Sequence, residues 1–183
     1  MKRIAAITLA LAAALAGCAS YPPMPPVAHV DLDRFMGDWY VIASIPSRPE
    51  KDAYNAIESY KLRPDGKIQT TFRYRDGSFD SELKTMHPVG TVVKDSGNAV
   101  WGMEFIWPIQ AEYVIAYLEP DYGAVIVGRS KRDYVWIMAR TPVIPQAQYD
   151  RLAAQVVALG YSAQDLRKVP QRWPEPPQAV PAK

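Results

Sequence analysis

Gly37-Asp38-Trp39-Tyr40 stands at the head of the first of eight strand-length segments, and Tyr134-Val135-Trp136-Ile137-Met138-Ala139-Arg140-Thr141-Pro142 closes the last. Between them the chain reads as a meander. Residues 39–45 form the first strand, stopped by Pro46. Residues 46–53 are polar with two prolines and read as a loop lying over one mouth of a barrel. Residues 54–62 follow, then a turn at Arg63-Pro64-Asp65-Gly66, where proline and Asp-Gly suit turn backbone. Residues 67–74 alternate most cleanly, with Ile68, Thr70, Phe72 and Tyr74 on one face and charged or polar groups on the other. Residues 81–94 make a long strand interrupted by Pro88 and Gly90, which predicts a bend or bulge. Trp101, Met103, Phe105 and Trp107 then alternate against Gly102, Glu104 and Ile106, and 113–118, 124–128 and 134–140 complete the set.

Eight strands on short links either open into a sandwich or close into an up-and-down barrel, and eight is just enough to enclose one small ligand. After Pro142 the period changes. Tyr149, Leu152, Ala153, Val156 and Val157 fall on one helical stripe that ends at Leu159-Gly160. This helix is expected to pack outside the barrel. Residues 166–169 suggest a last short strand, and the five prolines from Pro170 to Lys183 suggest a mobile tail. The expected fold class is all-β: an eight-stranded antiparallel up-and-down barrel with one C-terminal α-helix.

The bulk composition agrees and excludes several roles. Five Trp and eleven Tyr accompany abundant strand formers. The formal charge is +2, and removing residues 1–17 with Lys2 and Arg3 leaves 19 basic against 19 acidic residues. That balance gives no electrostatic case for nucleic acid. His29 and His87 are too few and too isolated for a metal site, and no cofactor is implied. There is no Gly-x-Ser-x-Gly elbow and no metal cluster, and His87 beside Pro88 reads as a strand-edge residue, so the chain is not expected to be an enzyme.

The N-terminus reads as an address. Met1-Lys2-Arg3 is followed by 13 apolar residues, 4–16, shorter than a membrane span. The run ends in Leu15-Ala16-Gly17-Cys18, which resembles a bacterial lipobox, and the single cysteine of the chain falls where such a motif needs its thiol. Acylation of Cys18 by palmitate-type chains implies stable membrane anchoring. Ala19 stands where an Asp would signal inner-membrane retention. The implied location is the Gram-negative outer membrane, facing the periplasm. Residues 21–26, Tyr-Pro-Pro-Met-Pro-Pro, read as an extended tether. The expected divisions are a signal peptide at 1–17, lipidated Cys and Pro-rich tether at 18–30, barrel and helix at 31–170, and a Pro-rich tail at 171–183.

Three places together resemble the lipocalin family over about residues 31–170: Gly37-Asp38-Trp39-Tyr40, Asp121-Tyr122 between the sixth and seventh strands, and Arg140 in Trp-Ile-Met-Ala-Arg-Thr-Pro. The run 133–142 is most similar to bacterial outer-membrane lipocalins and to the apolipoprotein D and plant stress lipocalin group. Several of those relatives carry disulfides, which a chain with one cysteine cannot form. The resemblance implies that Trp39 plugs the closed end of the barrel while Arg140 packs across its indole, with Gly37, Asp121 and Tyr122 completing the base. A guanidinium stacked on an aromatic face and bonded to backbone carbonyls is a sound physical basis for that role.

Alternation anchored on Trp39 and Arg140 points Val41, Ala43, Ile68, Thr70, Phe72, Tyr74, Trp101, Met103, Phe105, Trp107, Tyr113, Ile115, Tyr117, Ile126, Tyr134, Trp136 and Met138 inward. In the family's register Ala56, Glu58 and Tyr60 join them. A buried carboxylate needs a partner, and Glu58 among aromatics suits an ammonium head group; a one-residue shift would instead put Ile57 inside and Glu58 in water. The ligand-binding candidates are Glu58, Tyr60, Ile68, Phe72, Tyr74, Trp101, Met103, Phe105, Trp107, Tyr113, Ile115, Tyr134, Trp136 and Met138. Burying ten to fourteen methylenes of a fatty chain yields about 8–11 kcal/mol before ordering costs, enough for micromolar affinity or somewhat better. The resemblance and the barrel size both point to fatty acids or lysophospholipids, bound for storage, scavenging or transport in envelope maintenance. The competing expectation is a structural envelope lipoprotein with a filled barrel. A homodimer is left open.

Overall fold

The computed structural model describes residues 21–175. The leader and Cys18 lie outside the described residues, as do 176–183. The strands are β1 (Gly37–Ile45), β2 (Ala53–Leu62), β3 (Ile68–Asp76), β4 (Leu83–Met86), β5 (Val89–Val92), β6 (Val100–Ile106), β7 (Ile109–Leu118), β8 (Ala124–Gly128), β9 (Val135–Ala139) and β10 (Arg167–Lys168). All pairings are antiparallel, and β9 pairs back onto β1, closing the sheet. β4 and β5 both pair with β3, so they are two halves of one strand broken at His87-Pro88, where proline has no N–H to donate. Eight staves therefore make the barrel, as expected.

Two helices flank it. α1 (Leu32–Phe35) is a single turn capped by Asp31, whose Oδ1 accepts from the backbone N–H of Asp33 and Arg34. α2 (Gln146–Ala158) buries Leu152 and Val156 against the outer faces of β1, β8 and β9, while Val157, expected on the buried stripe, is exposed. Gly160, with φ +95°, ends the helix.

Three residues expected inside the barrel lie in the outer apolar layer instead. A register shift between Val41 and Ala43 sends Ala43 to the outer layer, and another between Ile115 and Tyr117 does the same to Tyr117. Ile126 also lies outside, with Val125 and Val127 inside. β8 is apolar on both faces because α2 covers its outer side, so alternation gives it no direction.

β1 and β2 pair only at Gly37–Tyr40 against Ile57–Tyr60, and then diverge. The C-terminal segment fills the gap. Val169 N–H donates to Ile42 O, Asn55 N–H donates to Pro170 O, and Gln171 Nε2 bridges Val41 O and Ala56 O at 2.8 and 3.1 Å. Arg75, itself buried, ion-pairs with Glu175. Residues 170–175 are thus part of the barrel wall rather than a mobile tail: divergent strands leave backbone groups that need partners. At the other terminus, residues 24–30 are not a free tether. Met24 is buried beside α2, and the backbone N–H groups of Val27 and Val30 donate to Ile115 O and Gly97 O.

Candidate ligand-binding site

One end of the barrel is sealed by the three motif regions. Trp39 is wholly buried and donates its indole N–H to Phe35 O at 2.8 Å. The Arg140 guanidinium lies 3.8 Å from the Trp39 ring centroid, and its nitrogens donate to the carbonyls of Asp38, Arg34 and Phe35. Gly37, at φ +92°, presents its bare Cα side to Arg140; a Cβ there would sit 3.6 Å from Nη1. Tyr122 accepts from Asp31 N–H through its hydroxyl and carries Arg34 on its face, while Asp121 Oδ1 holds the turn through Gly123 N–H. Gly37, Trp39, Asp121, Tyr122 and Arg140 therefore gather at one place.

Above this base the barrel is filled. Phe35, Trp39, Tyr60, Trp101 and Tyr113 stack in contact, with Trp101 and Tyr113 parallel at 4.9 Å. Gly90 makes room for them: a Cβ would meet Met103 Sδ at 3.0 Å and Ile68 Cβ at 3.2 Å. Ile68, Phe72, Tyr74, Ile115 and Met138 belong to the same interior packing.

The upper half is open. A cavity of about 450 Å³ is lined by Met86, Met103, Phe105, Ala111, Tyr134 and Trp136, with Ser47, Arg48, Pro49, Glu50, Glu112 and Arg129 around its mouth. That size and apolar character suit a small hydrophobic ligand. The 46–52 loop covers part of the mouth as expected, held by a bond from Trp136 Nε1 to Glu50 Oε2 at 2.8 Å. Burial of Glu50 raises its pKa above the ordinary carboxyl value, opposed by the bonds from Trp136 and Ser47.

Glu58 is on the inward face of β2, opposite Trp39 and Phe72. It accepts from the Tyr60 hydroxyl, which also contacts the Tyr113 hydroxyl at 2.7 Å. Desolvation, reinforced by the charge of Glu50, pushes the Glu58 carboxyl up to about 8. A carboxyl that is mostly neutral at pH 7 offers little charge to an ammonium group.

Of the sequence candidates, Met103, Phe105, Tyr134 and Trp136 line the cavity. Glu58, Tyr60, Ile68, Phe72, Tyr74, Trp101, Tyr113, Ile115 and Met138 lie in the packing around or beneath it. Trp107, expected inside, stands at the tip of the β6–β7 hairpin and is 80% exposed. A register shift between Glu104 and Ile106 ends the alternation before reaching it. Sequence reading missed Met86, Glu50, Arg48 and Arg129. Arg129 follows β8 directly, and Glu50 sits in a loop, so no periodicity marks either. Among the described residues no group of three His, Cys, Asp or Glu is placed to hold a metal.

A closed meander with a plugged base, a one-ended apolar cavity and an external C-terminal helix defines a small-ligand-binding β-barrel. The chain belongs to the lipocalin family: the model of the lipocalin-like domain matches residues 30–171. It is 31% identical over 160 residues to temperature-induced lipocalin-1 of Arabidopsis thaliana, covering 81% of this chain and 83% of that one. It is 28% identical over 174 residues to the outer membrane lipoprotein Blc of Citrobacter freundii, covering 92% and 98%. Insecticyanin of the tobacco hornworm Manduca sexta has the same fold, with a TM-score of 0.65 at 16% identity over 85% of this chain and 88% of that one.

Proposed function

We propose that this protein is an outer-membrane lipoprotein, anchored through acylated Cys18 and facing the periplasm, whose barrel holds one single-chain lipid. Lipocalins are in general binding proteins rather than enzymes, and this chain is read as a binder. The observation that carries the ligand class is the cavity itself. Its wall is apolar, and Arg48 and Arg129 stand at its mouth. Arg129 lies over the Tyr134 ring, its Nη1 pairs with Asp133, and its buried Nε has no partner among the described residues. An apolar tail against Met86, Met103, Phe105 and Trp136, with an anionic carboxylate or phosphate near Arg129, satisfies both requirements. That supports fatty acids and lysophospholipids. The packed lower half leaves room for one chain and favours a single-chain ligand over a diacyl lipid. A protein tethered by its N-terminus scavenges or stores lipid locally more readily than it carries it far.

Native mass spectrometry of the processed protein, with identification of co-purifying lipid, tests this. A stoichiometric single-chain lipid is expected, and Arg129→Met should weaken binding of anionic lipid by about tenfold, the cost of one charge-assisted bond. An empty protein that also fails to take up added fatty acid or lysophospholipid would overturn the reading.

A further inference from the structure

The β6–β7 hairpin ends in Phe105-Ile106-Trp107-Pro108-Ile109. Phe105, Ile106, Trp107 and Ile109 are 55, 75, 80 and 71% exposed. Hairpin tips are ordinarily built from small polar turn residues, so four large apolar side chains projecting together call for a surface to cover them. The tip lies on the cavity rim, since Phe105 also lines the cavity.

The path of the N-terminal segment says which surface that is. Arg132, in the turn between β8 and β9, lies over the Tyr21 ring and donates to Pro22 O at 2.9 Å. Met24 N–H donates to Ser130 Oγ, and Ser130 in turn bonds to Glu112 of β7, three residues after Ile109. From there the segment passes Ile115 and reaches Gly97 at the closed end. Tyr21 and Pro22, the first described residues, therefore stand at the mouth, on the side of the apolar hairpin. Cys18 is three residues before Tyr21, a reach of at most about 11 Å when fully extended. The far end displays Asp31, Asp33 and Asp38 to solvent.

We propose that the mouth of the barrel faces the membrane that carries the anchor, with the 105–109 hairpin seated in its interfacial layer. This rests on the lipoprotein reading of Cys18 given above. Trp107 belongs at the head-group level, where an indole has both an apolar and a hydrogen-bonding side. Ile106 and Ile109 reach toward the acyl chains. The cavity then opens onto the leaflet, and a single-chain lipid enters it without crossing bulk water. A second copy of this chain is the rival occupant. A five-residue tip is small against the roughly 800 Å² per partner of a stable interface.

The single cysteine makes the test clean. Acylation consumes the Cys18 thiol, so Ile106→Cys and, at the closed end, Asp33→Cys each introduce one reactive thiol. The processed lipoprotein carrying a nitroxide at either position is reconstituted into phosphatidylethanolamine–phosphatidylglycerol vesicles, and collisions with oxygen and with a water-soluble nickel chelate are measured. The expected result is a several-fold higher oxygen-to-chelate ratio at Ile106→Cys than at Asp33→Cys. Equal chelate access at both, or greater protection at Asp33→Cys, overturns the orientation. Spin–spin broadening at Ile106→Cys without vesicles assigns the tip to a second copy and overturns it too. Mass analysis of the N-terminus separates the causes: an unacylated Cys18 sinks the anchor and the orientation with it, whereas an acylated Cys18 with a chelate-accessible Ile106→Cys label sinks the orientation alone.

Discussion

Both ends of this barrel are held by an indole N–H, and they differ in what accepts it. At the closed end Trp39 donates to a backbone carbonyl, Phe35 O, which also receives Arg140 Nη2. At the mouth Trp136 donates to a carboxylate, Glu50 Oε2, on a loop. The first tie joins uncharged backbone to a guanidinium that keeps its charge at any relevant pH, beneath a wholly buried ring. The second uses a titratable group whose loop lies against the cavity. One fold therefore contains a fixed seal and a seal that protons and ligands can reach.

The largest effect expected from that contrast is at the base. Trp39→Ala removes the plug, leaves Arg140 without its aromatic face and opens a void against Phe35. A loss of about 3–5 kcal/mol is expected, measured as the fall in the denaturation midpoint multiplied by the slope. Trp136 is only half-buried and borders an existing cavity, so Trp136→Ala should cost less than half as much. Equal losses at the two positions would remove the distinction between seal and gate.

The next effect is on pH dependence and belongs to the upper barrel. The folded Glu58 carboxyl titrates at about 8, against an ordinary value of 4.5. The folded state therefore holds this proton more tightly than the unfolded chain does. The stabilisation is fully present below about pH 4.5 and is lost progressively as pH rises through 8, a fall of a few kcal/mol. Glu58→Gln should flatten most of this slope and leave the variant more stable than the natural protein at pH 8.5. Glu50, also raised by burial, supplies the remaining slope. Unfolding curves between pH 5 and 8.5 measure both. A natural protein whose stability does not fall over that range would mean that Glu58 is solvated, and the upper barrel would then be no more titratable than the base.

The same division governs what could be read from the sequence. The base was legible because the short runs that hold Gly37, Trp39, Asp121, Tyr122 and Arg140 resemble family signatures, and these residues, far apart in the chain, meet in the structure. The strand meander was legible for the same reason that β3 alternates, a polar outside against an apolar inside. Where α2 covers the barrel, both faces of β8 are apolar and the direction of Ile126 was lost. The mouth was the least legible part. Glu50 and Arg48 come from a loop, Arg129 from a strand end, and Met86 from the half-strand before Pro88. Phe105 and Trp107 continue the inward alternation in the sequence, and the register shift before Ile106 and the hairpin turn take Trp107 out of it. The prolines of the C-terminal segment suggest a loose tail, yet prolines still supply carbonyls, and Pro170 O meets the N–H of Asn55.

The smallest prediction bears most directly on the gate. Trp136→Phe keeps an aromatic ring on the cavity wall and removes only the N–H. Glu50 then retains Ser47 Oγ, at 2.7 Å, as its remaining side-chain donor among the described residues. The side-chain tie from Glu50 to the cavity wall is gone, because Ser47 belongs to the same loop, while Arg167 and the Gly77 N–H still hold Lys51 O and Asp52 O at its far end. A stability change within about 1 kcal/mol is expected, as for one partly solvated hydrogen bond. Release of a bound lipid should nevertheless quicken several-fold, since opening the loop no longer has to break that bond. Stopped-flow transfer of a fluorescent fatty acid to acceptor vesicles reads the rate directly. At the base the matching deletion has a different logic: with Trp39 reduced to a ring without a donor, Phe35 O keeps Arg140 and the seal stays closed. Unchanged release from Trp136→Phe would mean that the 46–52 loop is held by its backbone packing, and the mouth would then be as fixed as the base.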